Sequence, residues 1–139
     1  MRRGLSLNKT IFNMIGFAQY GLIALLSASL VFHFGVILKI VPYKIVWGGR
    51  LKSDTEMYRF EIVSVLINFL FLFVILVQSG MFFVAVPQKI MTVILWIMAA
   101  LFLFNTFGNV VSKNRMERLL FTPLTIILTI LSLILALTN

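Results

Sequence analysis

The second apolar stretch of the chain carries a row of polar residues whose types and spacing could support chemistry inside a membrane. The row consists of Asp54, Tyr58, Glu61, Ser64 and Asn68, at intervals of four, three, three and four residues, so on a helix they share one face. A carboxylate or amide facing lipid is costly. We therefore expect the row to face a bundle interior or a hydrated cavity. The alternative is that Asp54 to Glu61 lie at the membrane interface and only Ser64 and Asn68 bond to neighbouring helices.

The single histidine could act together with this row. His33 follows Ser29 by four residues in the first apolar stretch. Counted inward from the first loop, His33 lies about six residues deep and Glu61 about seven, so antiparallel neighbours would place both roughly 9 to 11 Å along their helices. A histidine and a carboxylate at low dielectric could relay a proton or sense pH. The alternative is an interfacial histidine bonded to water or a backbone carbonyl.

The residue types exclude several other chemistries. The chain contains no cysteine, so thiol nucleophiles, disulfides and cysteine-ligated metals are ruled out. Neither His-x-x-His nor Glu-x-x-His occurs, and we predict no metal site. The apolar residues include 14 phenylalanines and seven methionines, which we expect to pack the bundle or contact lipid. We assign no cofactor.

Two further groups of residues belong to the last two apolar stretches. Asn105 and Asn109 lie one helical turn apart. A row of small residues in the last stretch favours close helix packing, and could also serve an oligomer. That row is Thr122, Thr125, Thr129, Ser132 and Ala136.

Composition and segment length define the elements that position these residues. The chain is 61% hydrophobic and 12% charged, with a mean hydropathy of +1.08, whereas soluble domains are about 25% charged. Each of four apolar segments approaches or exceeds the ~20 residues that a helix needs to cross a bilayer. We predict an all-α, integral membrane four-helix bundle forming one domain over residues 1–139. The spans are about 9–39, 56–78, 88–111 and 119–138.

The ends of the first two helices have clear signals. Pro42 should end the first helix, and residues 40–52 read as an irregular interfacial segment, here called loop 1. Ser53 and Glu56 form a capping box that should start the second helix. The first apolar run is longer than the core of a signal peptide, so we expect this span to be retained.

The start of the fourth helix stays open between two alternatives. The helix either begins at Asn114 and kinks near Pro123, or it begins afresh with Thr122 as its N-cap. The polar stretch 113–118 between the third and fourth spans is called loop 3.

Basic residues provide the signal for orientation. Loops 1 and 3, together with the helix ends beside them, carry eight lysines and arginines, against four in the N-terminal tail and in the segment between the second and third spans, here called loop 2. The positive-inside rule places loops 1 and 3 in the cytoplasm, in a plasma (inner) membrane, although the basic tail of the first span opposes this assignment. The net charge of +8 is explained by anchoring to lipid headgroups rather than by nucleic-acid binding. The expected partners are membrane lipids and either further copies of the chain or another membrane protein.

An even number of spans places most intramembrane polar residues in the half of the bilayer next to loops 1 and 3. We therefore predict a polar pocket that opens toward those loops, with arginines at its mouth. Its candidate residues are Ser29, His33, Arg50, Arg59, Glu61, Asn68, Asn105 and Asn109.

Three functional classes fit such a pocket. The first is binding or passage of a small polar or anionic solute. The second is an accessory or scaffolding subunit whose polar residues join helices. The third is a membrane enzyme acting on a lipid or isoprenoid, with Glu61 and His33 as acid and base. No established catalytic motif supports the third class.

Overall fold

Four long helices, each long and apolar enough to span a membrane, account for most of the protein in a computed structural model. The structure describes the backbone of residues 2–139 and the side chains of residues 8–139. No strand occurs in the described backbone, and the predicted all-α, four-helix membrane architecture is confirmed. The helices are α1 (Arg2–Ile37), α2 (Asp54–Gln78), α3 (Gln88–Val110) and α4 (Thr122–Thr138).

The helices pack unevenly around the bundle. α3 packs extensively on α4, and α1 packs on both α2 and α4, whereas α2 and α3 barely touch. The main apolar core lies in the half of the bundle away from loops 1 and 3, and it includes Leu22, Leu26, Ile75, Met98 and Leu135, all fully buried. A second, smaller cluster packs loop 1 against the adjoining ends of α1 and α2, and it consists of Val36, Val46, Leu51 and Met57.

The small-residue row of α4 packs inside this bundle. Thr129 and Ser132 are buried, and both hydroxyls donate to backbone carbonyls four residues earlier. A side-chain carbon added at Gly21 of α1 would come within 2.9 Å of Leu131, so the glycine allows α1 and α4 to approach closely. Because the row is used within the chain, an oligomer would need a different surface from the one that we expected.

Short 3₁₀ turns and caps connect α1 to α2. Loop 1 contains two such turns, Tyr43–Ile45 and Trp47–Gly49. Ser53 caps α2, its hydroxyl accepting from the Glu56 amide at 3.2 Å. Glu56 in turn accepts from the Lys52 amide at 2.9 Å, one residue earlier than in a standard capping box.

The fourth helical segment follows the first of the two alternatives. Its helical backbone starts directly after Asn114, whose side-chain oxygen accepts from the Met116 amide at 2.9 Å. A π-helical turn, Glu117–Phe121, comes before α4. Pro123 has no N–H to continue the hydrogen-bond ladder, which accounts for a change of helix type at this point. Thr122 is not an N-cap, since its buried hydroxyl has no hydrogen-bond partner among the described residues.

Candidate functional site

A cavity of about 280 Å³ lies in the half of the bundle next to loops 1 and 3. All four helical segments and loop 1 contribute to its wall, including Phe102 and Leu128 at its deeper end. Phe102 lies eight residues before the end of α3, so the cavity reaches roughly 12 Å into the membrane. Six of the eight residues predicted from the sequence line it, namely Ser29, His33, Glu61, Asn68, Asn105 and Asn109.

Glu61 is the most buried charged residue of the cavity wall. Its side chain is 0% exposed, and its two oxygens accept hydrogen bonds from two different elements. The Nδ1 atom of His33 lies 2.7 Å from one oxygen, and Nε1 of Trp47 donates to the other at 2.9 Å. When the carboxylate is ionised, Nδ1 of His33 carries a hydrogen and donates a hydrogen bond to Glu61. The contact between His33 of α1 and Glu61 of α2, which we predicted from their similar depth in the membrane, is therefore present.

A second carboxylate, Glu117, lines the cavity from the π-helical turn. It is 7% exposed, and it accepts from the Gly48 backbone amide at 2.6 Å and from the Ser112 hydroxyl. π-helical turns within helices occur frequently at functional sites. Glu117 is not among the residues predicted from the sequence, because it lies in the charged stretch of loop 3. Its rarity was an available signal, since the chain has only four acidic residues.

Loop 1 is tied to both carboxylates through two adjacent residues. The Trp47 indole bonds to Glu61 and the Gly48 amide bonds to Glu117, so loop 1 bridges the loop-side end of the cavity. Trp47 has a φ of 57° and Gly48 a φ of 68°. This left-handed conformation is natural for glycine but uncommon for a bulky residue. The two carboxylate contacts hold Trp47 in it, which is a local strain of the kind found at ligand sites.

The asparagines of the wall differ in how far their amides are satisfied. Asn68 donates to the Ser64 carbonyl of its own helix at 2.8 Å, and Asn109 donates to Thr125 at 3.3 Å. Asn105 is exposed, and no hydrogen bond joins its side chain to any other residue among those described. The wall therefore keeps free donors and acceptors for a polar molecule.

The two arginines predicted at the mouth do not line the cavity. Arg50 donates through Nε to the Trp47 carbonyl at 3.0 Å, and Arg59 is exposed. Of the side chains described, no lysine or arginine lines the cavity, whereas Glu61 and Glu117 both do. The ionisable side chains that a ligand would meet there are two carboxylates and one imidazole.

The polar row of α2 divides between this cavity and the interface. Glu61, Ser64 and Asn68 line the cavity, while Asp54 forms an exposed ion pair with Lys39 at 2.5 Å. The Lys39 amine also lies 5.8 Å from the centre of the Tyr58 ring. The hydrogen bond and the charge of Asp54 raise the pKa of Lys39 above its ordinary value of 10.5.

Within residues 8–139, no three histidine, cysteine or acidic side chains come close enough together to hold a metal ion. The arrangement is instead suited to hydrogen bonding, with carboxylate, imidazole, amide and hydroxyl groups around one small volume. Comparison of the sequence with protein-family models and with curated proteins, and of the structure with solved structures, finds no match.

Proposed function

We propose that this multi-pass membrane protein binds a small polar ligand, uncharged or cationic, in the cavity beside loops 1 and 3. The observation that carries the proposal is the pairing of two carboxylates, Glu61 and Glu117, with free amide and hydroxyl groups around one intramembrane volume. Polar groups at this depth are costly unless they serve helix contacts or a ligand. Several of these polar groups, such as the amides of Asn68 and Asn105, make no hydrogen bond to another helix within residues 8–139, which supports a role in ligand binding.

Electrostatic repulsion argues against the anionic solute that the sequence suggested. An anion about 5 Å from an ionised Glu61 would be repelled by roughly 3 kcal/mol at an effective dielectric constant of about 20, which is more than a hundredfold in affinity. No lysine or arginine among the described wall residues offsets that repulsion. A ligand that donates hydrogen bonds meets acceptors on both carboxylates. We therefore favour a polar over an anionic solute.

We also propose that loops 1 and 3 face the cytoplasm of a plasma (inner) membrane, because these loops and the helix ends beside them carry most of the basic residues. The cavity would then lie in the cytoplasmic half of the bilayer. Its ligand would be taken from, or released to, that side.

The test uses Trp47 as a reporter inside the site. The chain has two tryptophans, and Trp96 is exposed on α3, so Trp96→Phe leaves Trp47 alone. In detergent, ethanolamine should shift Trp47 emission saturably at millimolar concentration, and phosphate should not. Glu61→Gln should raise the ethanolamine concentration needed for half of the emission shift about tenfold. An emission unaffected by ethanolamine, or equally affected by phosphate, would overturn the proposal.

A second candidate function is that of an accessory subunit, favoured by the poor contact between α2 and α3. A helix of another membrane protein could fill that side and satisfy the exposed Asn105 amide. In this case a membrane protein should copurify in fixed ratio with the native chain. It should be lost with Asn105→Phe and kept with Leu103→Phe, a change at an exposed α3 position outside the cavity.

A further inference from the structure

The wall of the cavity is incomplete between α2 and α3. Of the four sides of the bundle, this is the one where neighbouring helices make little contact. The aromatic contact between them is Phe71 against Phe102, with ring centres 5.6 Å apart and edge to face. Because α2 and α3 are antiparallel, residues before Phe71 and after Phe102 lie on the same side of this contact. That side is the one next to loops 1 and 3.

Polar residues border the opening on both helices. Asn68 lies three residues before Phe71, and Asn105 lies three residues after Phe102. Both line the cavity, and Asn105 is an exposed residue although it belongs to the cavity wall. The exposure of a wall residue on the side where α2 and α3 barely touch points to a sideways opening of the cavity above the Phe71–Phe102 contact.

The outer surface around this opening is apolar. Ile67 and Leu101, next to Asn68 and one turn before Asn105, are 39% and 40% exposed. Both helices are spans by length and hydropathy, so this surface meets lipid chains. At the loop end, by contrast, Trp47 and Gly48 bond across the cavity to its two carboxylates. The side between α2 and α3 has no such segment hydrogen-bonded over it among the described residues.

We infer that the ligand is an amphiphile with a hydrogen-bond-donating headgroup, uncharged or cationic, and an apolar tail. The headgroup occupies the cavity against Glu61 and the asparagines, and the tail leaves between α2 and α3 into the lipid. This inference rests on the function proposed above. A cavity of about 280 Å³ is slightly smaller than the roughly 300–1,000 Å³ of ligand pockets, which suits a headgroup without its chain.

The two parts of the ligand have different physical roles. The headgroup gains acceptors that the hydrocarbon lacks, since a hydrogen-bond donor without a partner is strongly disfavoured there. The tail stays in a lipid environment throughout and needs no pocket. It also holds the headgroup at the depth of the cavity, which raises its effective concentration over that of a free solute.

The experiment compares headgroups with and without a chain, in nanodiscs containing the Trp96→Phe protein. Monooleoylglycerol should shift Trp47 emission saturably at a concentration at least a hundredfold below that needed with glycerol. Oleate, which has the same chain with an anionic headgroup, should bind at least tenfold more weakly than monooleoylglycerol. Asn105→Phe should fill the opening and weaken monooleoylglycerol binding at least tenfold, whereas the matched Leu103→Phe should change it less than twofold.

A second measurement locates the chain independently of any variant. Monooleoylglycerol carrying a diazirine in its acyl chain should label α2 and α3 beside the opening, around Ile67 and Leu101, in excess of α1 and α4. Uniform labelling of the exposed helix surfaces would overturn the inference. So would equal potency of glycerol and monooleoylglycerol. If ethanolamine still binds in either case, the proposed function stands without the amphiphile, and if no ligand changes Trp47 emission, both fail.

Discussion

Replacing Glu61 is the perturbation with the largest effect that the structure predicts. Glu61→Ala removes the acceptor of both His33 and Trp47 at once. Each donor left unsatisfied costs about 1–3 kcal/mol. The His33 side chain is 18% exposed and Trp47 is half-buried, so both keep some access to water in the cavity. We therefore expect the free energy of unfolding to fall by about 2–4 kcal/mol.

Graded variants separate the hydrogen bonds from general disturbance of the helix. Glu61→Gln keeps one acceptor oxygen and the same shape, so it should cost about 1–2 kcal/mol. Arg59→Gln, two residues away on an exposed position of α2, should change the free energy by no more than about 0.5 kcal/mol. Titration of micelle-embedded protein with sodium dodecyl sulfate, followed by circular dichroism, measures all three. If Glu61→Ala and Arg59→Gln gave the same small change, the three-element contact would be refuted.

Three further predictions address loop 1, the interface and the orientation. Gly48→Ala places a side chain at a φ of 68° and 3.2 Å from the Arg50 guanidinium nitrogen, so it should cost about 1–2 kcal/mol of unfolding free energy; Gly16→Ala, in open space within α1, should cost nothing in the same titration. The raised pKa of Lys39 means that its ion pair contributes to stability at neutral pH and is lost only as pH rises through that pKa; an NMR titration of its amine should give a midpoint above 10.5 that falls toward 10.5 in Asp54→Asn, and equal midpoints would remove the ion pair from the account. A periplasm-active reporter fused after Asn139 should be active, with a cytoplasm-active reporter silent, and the reverse pattern would invert the assigned orientation.

Much of the bundle follows from local physics and was predictable. Span length and apolar content identify four helices, because lipid forces every backbone polar group into internal hydrogen bonds. The meeting of His33 with Glu61 follows from a fixed rise per residue and from antiparallel neighbours. The inward packing of Thr129 and Ser132 follows from their small size at helical spacing.

The residues that the sequence did not reveal are those positioned by long-range contacts and unusual backbone. Gly48 and Glu117 meet across 69 positions of the chain, and no periodicity links a loop glycine to a charged residue at the start of another helix. Pro123 indicates an interruption of the fourth helical segment, but not that the interruption is a π-helical turn that places Glu117 in the wall. The sequence indicates that Trp47 is an interfacial aromatic residue. Its left-handed conformation depends on contacts of loop 1 with Glu61 and Glu117, which are distant in sequence. The weak α2–α3 contact likewise depends on how four helices share their faces.

The most direct test of the central claim is a crystal structure of the protein grown from a lipidic mesophase. We predict that Glu61 will be bonded to His33 and Trp47 beside a cavity containing non-protein density, open between α2 and α3 at Asn105. A closed seam in which Glu61 and Asn105 pack against other helices, with no space between them, would contradict it.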